Sequence, residues 1–491
     1  MSDRPDTSPD SKRIIDELTR EIERLRVDIE RVEREKDRLR KQGVRLQRER
    51  DRLRRRNEKL KKQLDSARRA GFRQAAPFSR GKPKRNPERP GRKAGKDYGR
   101  KGHRRKPRRI DEHIDAPLPS CCPDCGGSIH EEHIAAQYQE DIPRVRPITR
   151  QFNVHIGRCK RCGRRVQGRH GLQTSDALGA ASAQIGPQAV ALAAFLNKQL
   201  GLSFGKIMTM MRDRFGLRIT RGGLVQAIDR AARRAEPSYT VLCETVRGSP
   251  MVAPDETGWK VGGELWWLHG FATPDTTVYS IAPGRGFEEA AAVLSEEYAG
   301  TLVRDGWAPY RRFTRAEHQS CLAHLLRRCE HLIEDHPQAL LPREVKALLK
   351  RALALRERFI GGEISERGLA VGRGRIQEAM VRVIESPGVL PAVVRFAGHL
   401  TTEFTALFSF LFEPDLDATN WRAEQALRPA VITRKVNGGG NRTERGARTQ
   451  QVLASVLRTG VQRNRRADEL LVPMLLSPGP CVPRALRPPL Q

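Results

Sequence analysis

The chain has no long apolar run. Its longest, residues 404–412, is the size of one core element, well short of the roughly 18 residues that a membrane span needs. Residues 1–10 are polar and acidic and carry no secretory signal, so export and membrane anchoring are not expected. Aromatic residues make up only 5% of the sequence. Its basic linker holds Phe72, Phe78 and Tyr98, too few for a base-stacking platform. No Gly-Lys-Ser/Thr follows a strand-like run, which excludes a Walker-type phosphate loop. Cysteine is sparse, nine in 491 residues, with four in two Cys-x-x-Cys pairs and the others scattered. That usage suits a reducing cytoplasm, close to the nucleoid if the partner is nucleic acid. Acid is the scarcest charge: 58 Asp and Glu against 91 Lys and Arg leave a formal charge of +33. Such an excess calls for a polyanionic partner.

The charge is uneven. Residues 1–110 hold 40 Lys and Arg against 18 Asp and Glu, two thirds of the net excess. Residues 1–10 read as disordered. Residues 11–66 read as a coiled coil, because Leu18, Leu25, Val32, Leu39, Leu46, Leu53 and Leu60 recur every seven positions. Ile15, Ile22, Ile29, Lys36, Gly43, Arg50, Asn57 and Leu64 fill the partner positions. Ile at a with Leu at d favours a parallel dimer, hence a homo-oligomer, and Asn57 helps fix the register. A leucine-zipper regulator carries its basic region before the zipper; here it follows. Residues 67–109 are a Gly-, Pro-, Lys- and Arg-rich linker. Lys82, Lys84, Arg85, Arg104, Arg105 and Lys106 are candidates for gripping phosphates without reading bases.

Residues 110–170 contain Cys122-Pro-Asp-Cys125-Gly and Cys159-Lys-Arg-Cys162-Gly. Two such knuckles suit four thiolates around a structural zinc ion, and a strand-like run at 151–156 fits a zinc ribbon. Cys121 leaves open which sulfur ligates. Residues 171–247 read as helices, at 188–200, 204–215 and 221–234, the last two capped by Ser203 and Thr220. A helix-turn-helix that contacts DNA is compatible with this spacing.

Two further apolar stretches each end on an aspartate, 251–255 at Asp255 and 300–305 at Asp305. Between them lie strand-like runs at 264–272 and 276–282 and a helical run at 287–298. If the fourth strand pairs beside the first, the two carboxylates meet. Close acids repel unless a divalent cation sits between them, and hard oxygen ligands favour Mg2+ or Mn2+. Glu424 is the candidate third acid, on a helix with Ala423, Leu427 and Val431 on its apolar face and Arg428 one turn on. Residues 330–412 read as a helical insertion between the last strand and this helix. Arg434 and Lys435 begin a basic glycine loop, also a candidate DNA contact, followed by a helix at 450–457 and a C-terminal tail, 464–491, that is Pro- and Arg-rich and disordered beyond Ser477.

In order, Asp255-Glu-Thr-Gly-Trp, Asp305-Gly-Trp-Ala-Pro-Tyr, Cys321-Leu-Ala-His324 and Asn420-x-x-Ala-Glu424-x-Ala-Leu-Arg428-Pro resemble the transposases of insertion-sequence family sixty-six. The resemblance covers about residues 80–463, with Gln425 where the family more often has Arg. It implies DDE chemistry on a ribonuclease H-like domain, here residues 248–463, and a Cys-x-x-His signature at Cys321 and His324 packed beside the site. The expected architecture is multidomain α+β and α/β: coiled-coil helix, zinc ribbon, helical domain and ribonuclease H-like mixed sheet. The expected function is metal-dependent cutting of double-stranded DNA at element ends and joining to target DNA, with Asp255, Asp305 and Glu424 as the metal-holding acids. Accessory proteins from the same element are further candidate partners. The alternatives are a nuclease that does not join DNA, or a non-enzymatic DNA-binding regulator.

Overall fold

The structure, a computed structural model, describes residues 106–143, 145–178, 184–436 and 438–487, with scattered positions between Ile14 and Leu53. The chain divides into two compact units, Met1–Lys101 and Gly102–Gln491.

In the first unit the described positions are helical, and the apolar Ile14, Leu18, Ile22, Val27 and Leu53 are exposed. The heptad positions Ile15, Leu25, Ile29, Val32, Lys36, Leu39, Gly43, Leu46, Asn57, Leu60 and Leu64 lie outside the described residues. So do Lys82, Lys84, Arg85, Arg104 and Arg105 of the basic linker.

The second unit opens with a largely extended, exposed segment whose only described strands are β1 (Ile156–Arg158) and β2 (Arg165–Gln167), an antiparallel pair. The strand expected at 151–156 is therefore displaced: pairing begins at Ile156 and flanks the second cysteine knuckle. Helices α1 (Pro187–Ala194, continued by a π-helical turn Phe195–Gln199), α2 (Phe204–Phe215) and α3 (Arg221–Arg247) follow. Ser203 Oγ accepts from Lys206 N and Thr220 Oγ1 from Gly223 N, as capping residues do. α3 runs to Arg247, well past the expected end at 234, with Pro237 inside it.

The central sheet is built from β3 (Met251–Val261), β4 (Glu264–Ala272), β5 (Thr277–Ala282), β6 (Thr301–Arg304), β7 (Glu317–Ser320) and β8 (Gly440–Asn441). Its order is β5-β4-β3-β6-β7, with β8 on the far end of β3. β3 does not stop at Asp255. It continues into a hairpin with β4 through Gly262 (φ 61°) and Gly263 (φ 95°), the left-handed pair that a two-residue hairpin turn requires. The chain then crosses over through α4 (Phe287–Leu294), so that β6 pairs parallel with β3 and β7 parallel with β6. α4 ends at Leu294 rather than 298, where Ser295 turns to φ 75°. The strands of this mixed sheet alternate: Val252 and Leu302 point into one core, Ala253 and Val303 into another.

The first core is shared with α1–α3, α10 (Glu444–Gln462) and α11 (Ala467–Leu476). Residues 171–247 are thus part of the sheet's own core, not a separate helical domain. The C-terminal tail packs on this core as well, including part of the stretch beyond Ser477 expected to be disordered. Leu470, Leu471, Met474 and Leu475 of α11 are buried, and so is Leu486, in a turn anchored by Arg463 donating to Ala485 O at 3.1 Å. The second core belongs to the inserted helices α5 (Leu322–Asp335), α6 (Leu341–Ile360), α7 (Glu366–Glu385) and α8 (Pro391–Thr402). α9 (Trp421–Val436) packs Leu427 and Ala430 with Trp259 and Leu268. A mixed six-stranded sheet with helices on both faces is compatible with an α+β ribonuclease H-like core. No described helix is long and apolar enough to cross a membrane.

Candidate active site

Asp255 lies within β3 beside β6, and Asp305 follows the last residue of β6. Burial, then the negative charges of Glu256, Asp305 and Glu424, push the Asp255 carboxyl up to about 7, while the Glu256 amide donating to it at 2.8 Å pulls the other way. The three acids therefore share one electrostatic neighbourhood. Asp305 accepts from the Trp307 amide at 2.9 Å, a local turn that fixes its carboxylate. Glu424 sits in the first turn of α9, where a helix N-terminus favours an acid. Its carboxylate receives Arg327 Nη2 at 3.1 Å, with His324 Nε2 3.9 Å away.

A short chain of hydrogen bonds holds the three segments together. Cys321, the N-cap of α5, donates its amide to Arg304 O at 2.8 Å and accepts the Asn420 amide on its sulfur at 3.1 Å. Asn420, just before α9, donates its side-chain amide to Pro254 O at 2.9 Å. Each bond lands one residue from Asp255 or Asp305, or four from Glu424. Burial raises the Cys321 thiol above its ordinary range, so it serves as a neutral acceptor. Cys321 thus ties the segments that carry Asp305 and Glu424 to one another, with His324 one turn along α5.

Several residues here carried no role in the sequence reading. Glu256, next to Asp255 in Asp-Glu-Thr, accepts from Arg285 Nε at 2.7 Å and from the buried Tyr310 hydroxyl at 2.6 Å. Arg285 lies between the Trp307 ring (3.9 Å) and the Trp267 ring (4.8 Å). On the other side of β6, Glu403 at the end of α8 accepts from Arg304 (2.7 Å), Arg311 (2.9 Å) and Ser320 (2.6 Å), which ties the insertion to the strand that delivers Asp305.

Among the described residues no three His, Cys, Asp or Glu side chains converge as a metal-holding group. For Asp255, Asp305 and Glu424 the chemistry of the donor set still fits a hard divalent cation: oxygens only, like-charged, one carboxyl pushed up by its neighbours. Arg327 supplies the positive charge at Glu424. The two cysteine pairs form matching knuckles, Gly126 N donating to Cys122 O at 2.8 Å and Gly163 N to Cys159 O at 2.9 Å. Backbone amides lower the Cys122 and Cys159 thiols, which favours thiolate. Each knuckle fits half of a four-sulfur site, and the two halves are not grouped. Cys122, not the exposed Cys121, occupies the first knuckle.

Of the remaining candidate DNA contacts, Lys106 is exposed and lies 6.0 Å over the Tyr138 ring. Arg428 is exposed one turn beyond Glu424, and Lys435 closes α9. Arg434 is half-buried. Its guanidinium donates to Thr257 Oγ1 at 2.9 Å and to Gly258 O, so it fastens α9 to β3. The glycine loop after it is likewise tied down, because Gly440 and Asn441 pair with Lys260 and Val261.

No curated protein matches the chain closely. A family model described as "Transposase IS66 family" matches residues 182–449. That span takes in the sheet, the insertion, the three acids and the helix that carries Glu424, more than half of the chain. The chain belongs to the IS66 family of transposases.

Proposed function

We propose that this transposase cuts DNA at the ends of its element and joins the freed 3′-hydroxyl to target DNA, with Asp255, Asp305 and Glu424 as the catalytic acids. The observation that carries this reading is the shared field of the three carboxylates, delivered by β3, β6 and α9. Mg2+ or Mn2+, held by these acids, would supply Lewis-acid activation of the attacking oxygen and of the leaving oxygen. The chain's own part is to gather and orient the acids. Asn420 and Cys321 fix their spacing, and release of Glu424 from Arg327 frees its carboxylate. Arg428, on the same exposed side of α9, grips the DNA backbone there. No nucleophilic side chain is required, because the attacking groups are water and the 3′-hydroxyl.

The other regions serve assembly. Residues 11–66 pair two protomers through the apolar heptad positions of the sequence. The basic linker and Lys106 neutralise phosphates, the exposed side of α2–α3 meets DNA, and Cys122, Cys125, Cys159 and Cys162 hold a structural zinc ion once the knuckles close on it. The test is incubation of the full chain with Mg2+ and DNA that carries the inverted repeats flanking the gene. Recovery of cut ends joined to a second DNA supports the reading. Cutting without joining would replace it with a nuclease, and binding without cutting with a regulator.

A further inference from the structure

Beyond Asp305 the sheet and the insertion enclose a cavity of about 290 Å³ whose walls include Asp305, Gly306, His324, Arg328 and His399. Three features of the wall need an occupant. Arg328 is half-buried, its guanidinium lies 4.8 Å over the Phe396 ring, and among the described residues it has neither a carboxylate nor a hydrogen-bond acceptor. Burial lowers its pKa, the Cys329 thiol opposes this, and a second cation, Arg395, adds to it. His399, from α8, lines the cavity half-buried, and His324 Nδ1 is buried without a hydrogen-bond partner among the described residues. A half-buried guanidinium with no carboxylate beside it favours an anion in the cavity it faces.

The cavity is also built to stay open to Asp305. A Cβ on Gly306 would lie 2.7 Å from His399 Cε1. Only glycine after Asp305 lets the histidine of the insertion come this close to the chain there. Glu403, at the C-terminal end of α8 and four residues from His399, is fixed by Arg304, the residue before Asp305. The insertion is therefore locked in place with His399 and Arg328 presented to the site.

We infer that this cavity is a phosphodiester subsite, in which Arg328 and His399 hold the DNA phosphate next to the one being cut. The inference rests on the proposed DNA-cutting role. A phosphodiester carries one negative charge and two acceptor oxygens, which suits a guanidinium fork and an imidazole N–H. A bound phosphate positions the strand so that the neighbouring phosphate lies among the three acids. The helical insertion is then part of the active site.

Two readouts test it, one of which needs no catalysis. In the full chain without Mg2+, phenylglyoxal labelling of Arg328 is followed by peptide mass spectrometry with DNA, with inorganic phosphate, or with neither. DNA is expected to protect Arg328, and phosphate at the same phosphate concentration to protect little. Equal protection by phosphate overturns the DNA assignment, and no protection by DNA overturns the subsite, whether or not the protein cuts. Separately, Arg328→Ala and His399→Ala should each lower Mg2+-dependent cutting at saturating DNA, by about 100-fold for Arg328→Ala. DNA affinity should change less than about twofold, since the rest of the basic surface is intact, and Arg328→Lys should restore part of the rate. Arg351→Ala, which removes a cation on the exposed side of α6, serves as control. If wild type cuts and Arg328→Ala cuts as fast as Arg351→Ala, the subsite is wrong. If wild type cuts nothing yet DNA protects Arg328, the subsite stands and the DNA-cutting proposal falls.

Discussion

The side-chain amide of Asn420 donates to the carbonyl of Pro254 at 2.9 Å, across 166 positions of sequence. That bond places the start of the Glu424 helix against the strand that carries Asp255. Asn420 is almost wholly buried, so its loss strands the Pro254 carbonyl. Asn420→Ala is expected to cost about 1–3 kcal/mol in chemical denaturation. It should also lower DNA cutting more than it lowers DNA binding. Asn420→Asp should be worse on both counts, because a carboxylate there faces a carbonyl and the acids.

The pH dependence follows from Asp255. Its folded carboxyl titrates near 7, against 3.8 for an ordinary aspartate. Glu256, Asp305 and Glu424 are the acids that face it, with burial the larger cause. A proton held more tightly in the folded state stabilises fully below the unfolded value and is lost as pH rises through the folded one. The metal-free protein should therefore lose stability between about pH 4 and pH 7, by up to about 1.4 kcal/mol per pH unit from this group. Asp255→Asn should flatten that loss, and Mg2+ should stabilise wild type more at pH 8 than at pH 5. An unchanged pH profile in Asp255→Asn would count against the assignment.

Much of this arrangement was legible in the sequence, and the exceptions have physical reasons. The apolar runs before Asp255 and Asp305, and the aromatic, apolar run of β4, marked strands because such residues fit a buried sheet surface. Glu317-His-Gln-Ser gave no such signal. β7 buries Gln319 and Ser320, polar residues whose partners include distant groups: Gln319 Oε1 accepts from Phe410 N at 2.9 Å and Ser320 donates to Glu403 at 2.6 Å. The length of α3 was hidden by Pro237, which ends isolated helices but is carried here by packing on both sides. Asn420 could be read as part of a motif, yet its partner could not, since only the fold brings Pro254 to it. Arg434 read as a phosphate ligand from its glycine-rich surroundings, and the pairing of Gly440 with Lys260 is what turned it inward.

The contact between Arg327 and Glu424 predicts competition with metal. At 3.1 Å between largely exposed side chains the pair is worth at most about 1 kcal/mol. Arg327→Ala should lower the Mg2+ concentration for half-maximal cutting by up to about fivefold. A raised requirement would show that Arg327 serves DNA rather than restraining the acid.

Glu403 predicts a structural phenotype at a distance. Its carboxylate is fully buried and Arg304 is only 2% exposed. Glu403→Ala leaves Arg304 charged and unpaired, at a cost of about 3–5 kcal/mol in denaturation. A cost below about 1 kcal/mol would mean that the insertion is not locked to β6 as described.

Metal analysis addresses the amino-terminal knuckles. Purified protein should carry about one zinc per chain, lost in Cys122→Ser and in Cys159→Ser and kept in Cys121→Ser. Zinc retained in Cys122→Ser would move the ligand to Cys121.

The most direct test of the central claim compares Mg2+-dependent DNA cutting by wild type, Asp255→Asn, Asp305→Asn and Glu424→Gln, with folding of each checked by denaturation. Three acids acting as one site predict a loss of at least about 1,000-fold in every variant, with DNA binding kept. A folded variant of any one of the three that cuts at the wild-type rate would contradict it.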